Sequence, residues 1–206
     1  MDLQNIINSR PPNGLYQKTN TTTLTQALKD IKLKTVIAVA TDEHAAVTLK
    51  QVLEESVLLA ISVGDEEQFK KDYDQLEKLY FSRNVRSRLT FNETECLLLG
   101  IGLMRNLRDN DIPSFHVLLQ EIRYLVEKVK GTSDMAKSLA QGWQYLEFPL
   151  DIEKEIANGN MSRVLELAER KVPHDAYLPF TRALILTIRT HVCTALESAY
   201  QKNQVV

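Results

Sequence analysis

The 206 residues include 44% hydrophobic and 25% charged side chains, which is enough apolar material for one domain with a sizeable core and excludes a chain disordered throughout. The formal net charge of −2 excludes a general polyanion binder, because non-specific nucleic-acid affinity rests on an excess of Lys and Arg. No apolar run approaches the roughly 20 residues needed to cross a bilayer, and the N-terminus lacks the pattern of a secretory signal, so a cytoplasmic and nuclear protein with no membrane partner is expected.

Residues 1–23 hold Pro11, Pro12, Gly14 and a run of threonines with few large apolar residues, and read as an N-terminal arm or linker. A helical-repeat domain is expected over 24–206. Leu24, Leu28, Ile31 and Thr35 have the spacing of a first helix, with Thr22 or Thr23 available as its N-cap. Val36 to Val39 is a β-branched run in which pattern separates helix from strand poorly; it is read as helix. Val47, Val52 or Leu53, Val57, Ala60 and Ile61 form the next stripe, running up to Gly64. Asp65 then caps a helix bearing Phe69, Tyr73, Leu76 and Tyr80.

After a basic loop around Arg83 to Arg88, Asn92 and Glu95 stand in capping-box spacing. Leu97 to Leu107 is apolar almost all round, which predicts a helix in the middle of the stack. Pro113 falls in the first turn of a further helix with Phe115, Leu118, Leu119, Ile122 and Leu125 as its stripe and Gly131 as its end. Ser133 to Leu146 is read as another helix, stopped at Pro149, and Ile152 to Asn158 as a short separate run. Met161 to Arg170 follows, then a break at Val172-Pro173. In the last run Phe180, Leu184, Ile188, Val192, Leu196 and Ala199 share one face, predicting a buried stripe, with Arg182 and Arg189 on the wet side.

Three turns repeat. Gly64-Asp65, Asn110-Asp111 and Gly159-Asn160 each join a helix-ending residue to a capping residue, with Phe69, Phe115 or Val164 five positions on, and the turns lie 46 and 49 residues apart. Such a period is that of an all-α stack of helical hairpins, a right-handed α-solenoid in which each hairpin buries its stripe against its neighbours.

The run Asn158-Gly159-Asn160-Met161-Ser162-Arg163-Val164, then Val172-Pro173, Phe180, Thr187-Ile188-Arg189 and Glu197-Ser198-Ala199-Tyr200, resembles the PCI-domain lid subunits of the proteasome regulatory particle, the non-ATPase regulatory subunit twelve family. Upstream, Phe69, Gln75-Leu76, Tyr80-Phe81, Leu103 to Leu107, Asn110 and Phe115-His116 fall in the same order, so the resemblance covers about 42–200. It implies a non-catalytic scaffold that contacts other PCI-type lid subunits, with helical repeats packed onto a winged helix that would begin where this chain reaches Val206. Thr190-His191 departs from an acidic pair in that family.

The chemistry-bearing residues are read in the same light. His44, His116, His174 and His191 stand at no zinc-ligand spacing, and no metal or cofactor is expected. All four are read as surface or core-edge histidines, and His116, following Phe115 on a packing helix, is compatible also with a hydrogen-bonded core position. Gly100-Ile101-Gly102 imitates a dinucleotide fingerprint but lies inside a helix with Arg105 at the third glycine position, and is read as a site of close helix packing. Glu54-Glu55 and Glu66-Glu67 are read as solvated helix faces, and Cys96 and Cys193 as buried free thiols. Arg83, Arg86 and Arg88 with Tyr80 and Phe81 form a candidate basic loop; a PCI-type adaptor of an RNA-associated complex would use it, and the plainer reading is a solvated loop. Trp143, Tyr145, Phe148, Arg182 and Arg189 are candidate protein contacts, the three aromatics being equally compatible with the core.

Overall fold

The computed structural model describes residues 3–11, 14–16, 21–38, 45–82, 86, 89–129, 133–170 and 172–203. Among these, nine α-helices occur: α1 (Leu3–Asn8), α2 (Thr21–Ala38), α3 (Ala45–Val63), α4 (Glu66–Phe81), α5 (Glu93–Arg108), α6 (Ile112–Val129), α7 (Ser133–Ala157), α8 (Met161–Arg170) and α9 (Leu178–Asn203), with a 3₁₀ turn at Asp175–Tyr177. The described residues contain no strand, and the run from Val36 to Ala38 is helical. The arrangement is the all-α hairpin stack expected from the repeat.

The three repeated turns have one physical construction. Gly64, Asn110 and Gly159 take φ of 82°, 55° and 71°, the left-handed region that ends a helix most easily at Gly or Asn. The next residue's N–H returns to a carbonyl five positions back, from Asp65 to Ala60, Asp111 to Asn106 and Asn160 to Glu155. That same residue's side chain caps the following helix, accepting from Gln68 N at 3.0 Å, Ser114 N at 3.1 Å and Arg163 N at 3.4 Å. Phe69, Phe115 and Val164, one turn into the new helix, are buried and lock each hairpin to the core.

Helix α5 is the axis of the stack and packs on α3, α6, α7, α9 and the 3₁₀ turn. Its glycines let neighbours approach to backbone distance. A Cβ on Gly100 would lie 2.1 Å from Tyr177 Oη and 2.4 Å from the Tyr145 carbonyl, and one on Gly102 would meet the Tyr73 hydroxyl. From the facing helix, Gly142 returns the arrangement, its absent Cβ leaving room for Cys96. Gly100-Ile101-Gly102 is therefore a packing seam, as read.

Several expectations are corrected. Pro149 does not stop a helix: α7 runs through it to Ala157, absorbing the run from Ile152. Pro149 has no N–H for the carbonyl four residues back, that of Tyr145, and the buried Tyr177 hydroxyl donates to that oxygen at 2.8 Å instead. Within 1–23, Leu3–Asn8 is helical, and Ile6 and Tyr16 enter the core at 0 and 5% exposure, so two apolar residues anchor a stretch whose composition reads as a linker. Thr22 and Thr23 lie inside α2, which starts at Thr21. The α9 stripe is buried at Phe180, Leu184 and Ile188 but Val192, Leu196 and Ala199 are exposed, because no described element lies beneath the last turns. Cys193 is likewise exposed while Cys96 is buried, and both are free thiols. His116 sits at the surface, 3.7 Å from Glu153, rather than in the core. The expected helix end at Gly131 lies outside the described residues.

Candidate protein-contact surfaces and the buried polar seam

The largest discrepancy with the sequence reading lies on α3. Glu54 and Glu55, expected in solvent, are each 4% exposed, and Lys50 one turn earlier is 2% exposed. Lys50 Nζ lies 2.8 Å from Glu95 Oε2 and 3.6 Å from Glu54 Oε1 and donates to the Thr90 carbonyl at 2.6 Å. Tyr80 donates to Glu54 at 2.8 Å, and Arg86 Nη1 reaches Glu95 Oε1 at 2.6 Å while stacking over Phe91. Glu95 stays in capping-box position, its N–H bonded to Asn92 Oδ1, but its carboxylate turns to the two cations instead of back to the cap. Two carboxylates thus face two cations, joining α3, α4, α5 and the segment before α5. Burial pushes the Glu54 carboxyl up, opposed by Lys50 and by the Tyr80 hydrogen bond.

Two smaller clusters continue the seam on α3. Glu55 accepts from the Tyr16 hydroxyl at 2.5 Å and pairs with Arg10 at 3.5 Å, tying the N-terminal segment down. Burial raises its carboxyl too, against the pull of Arg10 and Tyr16. Asp72 of α4, 0% exposed, binds Lys32 of α2 and the Ser56 hydroxyl of α3, and accepts from Gln68 at 2.8 Å. Buried pairs of this kind add little net stability, yet removing one partner leaves a charge uncompensated, so they penalise any other register of α2, α4 and α5 on α3.

The candidate contact residues are sorted by the same geometry. Arg86 is committed inward to Glu95, and Arg83 and Arg88 lie outside the described residues, so one of the three arginines of the basic loop is removed from the surface. Tyr145 and Phe148 are both 6% exposed. Tyr145 bonds Glu93 at 3.1 Å and meets His174 edge-on; Phe148 meets Tyr177 edge-on at 5.4 Å. They are core residues, which corrects their reading as contacts. Trp143, at 43%, remains on the surface, as do Arg182 and Arg189, the latter 3.3 Å from Glu169. Burial holds the His174 imidazole below its ordinary value, and its Nδ1 accepts from Ala176 N at 3.0 Å to start the 3₁₀ turn.

Two surface recesses, one beneath Arg108 and Phe180 and one between Thr25 and Gln68, have volumes of about 40 and 30 Å³, far below the several hundred Å³ of a small-molecule site. Among the described residues no group of His, Cys, Asp and Glu is placed to hold a metal, and no helix is long and apolar enough to cross a membrane. What the surface does offer is helix faces: Trp143, Leu186, Val192, Leu196 and Tyr200 are exposed large apolar residues, the last four on α9.

Residues 93–203, from the first residue of α5 to the last of α9, match the model of the CSN8/PSMD8/EIF3K family, more than half of the chain. The chain belongs to the CSN8/PSMD8/EIF3K family. The family stretch thus comprises the glycine seam, the Pro149 helix and the exposed end of α9, while α1 to α4 lie outside it. Curated relatives extend the likeness upstream. The chain is 29% identical over 160 residues to the 26S proteasome non-ATPase regulatory subunit 8 of Caenorhabditis elegans, covering 78% of this chain and 56% of that protein. It is 26% identical to the 26S proteasome non-ATPase regulatory subunit 8 homolog A of Arabidopsis thaliana, over 73% of this chain and 50% of the relative. It is 23% identical to the 26S proteasome regulatory subunit RPN12 of Saccharomyces cerevisiae, over 73% and 51%. The chain spans about half the length of these relatives.

Proposed function

We propose that this chain is a non-catalytic structural subunit of the proteasome regulatory particle lid, contributing to ubiquitin-dependent proteolysis through protein–protein contacts in the cytoplasm and nucleus. The observation that carries this reading is the alignment of three relatives named as proteasome regulatory subunits across 73 to 78% of the chain. The surface agrees with a scaffold role: exposed apolar residues lie on helix faces, and Glu54 and Glu55, two of the carboxyls that burial raises, are spent on internal pairing. Other PCI-type lid subunits are the partners. An RNA-associated adaptor would need a continuous basic face, and Arg86 does not contribute to one. Affinity purification of the tagged chain from its native source, followed by mass spectrometry, tests the proposal. Regulatory-particle subunits in stoichiometric amounts are expected; recovery with translation factors or messenger ribonucleoproteins and no proteasome subunit would overturn it.

A further inference from the structure

Beyond Ile188, α9 leaves the body of the stack, and every described side chain from Arg189 to Tyr200 is exposed. Leu186, Val192, Leu196 and Tyr200 are 68, 40, 54 and 72% exposed, so the projecting helix is apolar as well as uncovered. Leu186, Arg189, Cys193, Glu197 and Tyr200 recur at steps of three and four and fall on one narrow strip, the spacing of a coiled-coil seam. The strip is symmetric about Cys193. Arg189 and Glu197 stand four residues to either side of it, Leu186 and Tyr200 seven.

Two such helices laid antiparallel with both Cys193 residues on the two-fold axis place each Arg189 opposite the partner's Glu197 and each Leu186 opposite the partner's Tyr200. A parallel pairing in register would instead set arginine on arginine and glutamate on glutamate. From this self-complementarity we propose that the strip is a self-association surface on which a second copy of the chain docks antiparallel. Arg189 also contacts Glu169 of its own chain at 3.3 Å, but its side chain is 60% exposed and a guanidinium offers several donors, so both carboxylates are served. The paired length is about 21 Å of helix, which gives a contact smaller than the ~1,200 Å² of a standard interface. The dimer is therefore weak and concentration-dependent. It does not rest on the lid assignment.

Sedimentation equilibrium of the chain from micromolar to millimolar concentration tests this. A dimer that grows with concentration is expected. Arg189→Glu or Glu197→Arg alone should weaken it about tenfold, the order expected for exposed ion pairs turned repulsive, and the double reversal should restore it. Oxidised glutathione should trap a disulfide-linked dimer that the Cys193→Ser variant cannot form. Circular dichroism of each variant guards against loss of fold, to which these exposed side chains contribute little. A chain that stays monomeric at millimolar concentration, a dimer indifferent to both single reversals, a double reversal no better than the singles, or a dimer that oxidation cannot link through Cys193 would each overturn the proposal.

Discussion

Helices α3 and α5 are both buried at the centre of the stack, and apart from Glu95 in the first turn of α5, which joins the charges of α3, they are held there by opposite means. On α5 glycines bring neighbouring backbone and hydroxyl groups into direct contact, so position is set by shape. On α3 the corresponding positions are Lys50, Glu54 and Glu55, and position is set by which charge finds which partner. Shape tolerates small losses gradually. An uncompensated buried charge is not tolerated by small adjustment, because nothing nearby can replace the lost partner. The same depth of burial therefore means different sensitivity to mutation.

The largest expected effect is on the charged side. Glu95→Ala leaves Arg86 without its carboxylate and Lys50 with the Thr90 carbonyl and only the longer ion pair to Glu54, and should cost about 3–5 kcal/mol by urea denaturation. A cost under 1 kcal/mol, on that scale of about 3–5, would show that water enters the seam and that the comparison is false. Gly100→Ala is next. Its Cβ would strike the Tyr145 carbonyl, which cannot move aside, so a loss of about 2–3 kcal/mol is expected even after the gain in helix propensity. Gly142→Ala should cost somewhat less, about 1–2 kcal/mol, since its Cβ meets the Cβ and Sγ of Cys96 rather than a carbonyl, and Cys96→Ala in the same chain, which removes Sγ alone, should recover only part of that loss. Equal costs at Gly100 and Gly142 would mean that backbone contact is not the governing difference.

The smallest effect is a slope with pH. Burial raises the Glu54 and Glu55 carboxyls above the ordinary 4.5, so between 4.5 and their folded values the native state holds more protons than the unfolded one. Their contribution therefore makes stability fall as pH rises through that window, and level off above it. Denaturation midpoints from pH 4 to pH 8 should show this component in the wild-type chain and a flatter profile in Glu54→Gln with Glu55→Gln. An unchanged profile would place the proton uptake elsewhere.

These contrasts also mark what could be read beforehand. The apolar circumference of Leu97 to Leu107 identified the central helix, and Gly64, Asn110 and Gly159 identified the turns, because both signals are local and have one physical meaning. Glu54-Glu55 was misread because a charged pair on a helix looks the same whether its partner is water or a lysine and tyrosines from other elements. Periodicity likewise carried the α9 stripe past Ile188 into Val192, since it reports which face is apolar and not whether anything covers it. Of the candidate contacts, the exposure of Arg182 and Arg189 was legible, whereas Trp143 was left open between surface and core. Tyr145 and Phe148, only two and five residues on from Trp143, were not distinguishable from it without knowing the phase of α7 against α5.

Pro149 gives α7 a dependence on chain order. The carbonyl of Tyr145 lacks the N–H four residues on that would ordinarily bond it, and the hydroxyl that takes that place belongs to a residue 32 positions later. During synthesis the middle of α7 must stay open to solvent until Tyr177 has left the ribosome, however stable the helix is on either side. A nascent chain ending before that residue should show faster amide exchange around Tyr145 than one that extends past it, so the seal on α7 is applied only by arrival of the 3₁₀ turn that precedes α9.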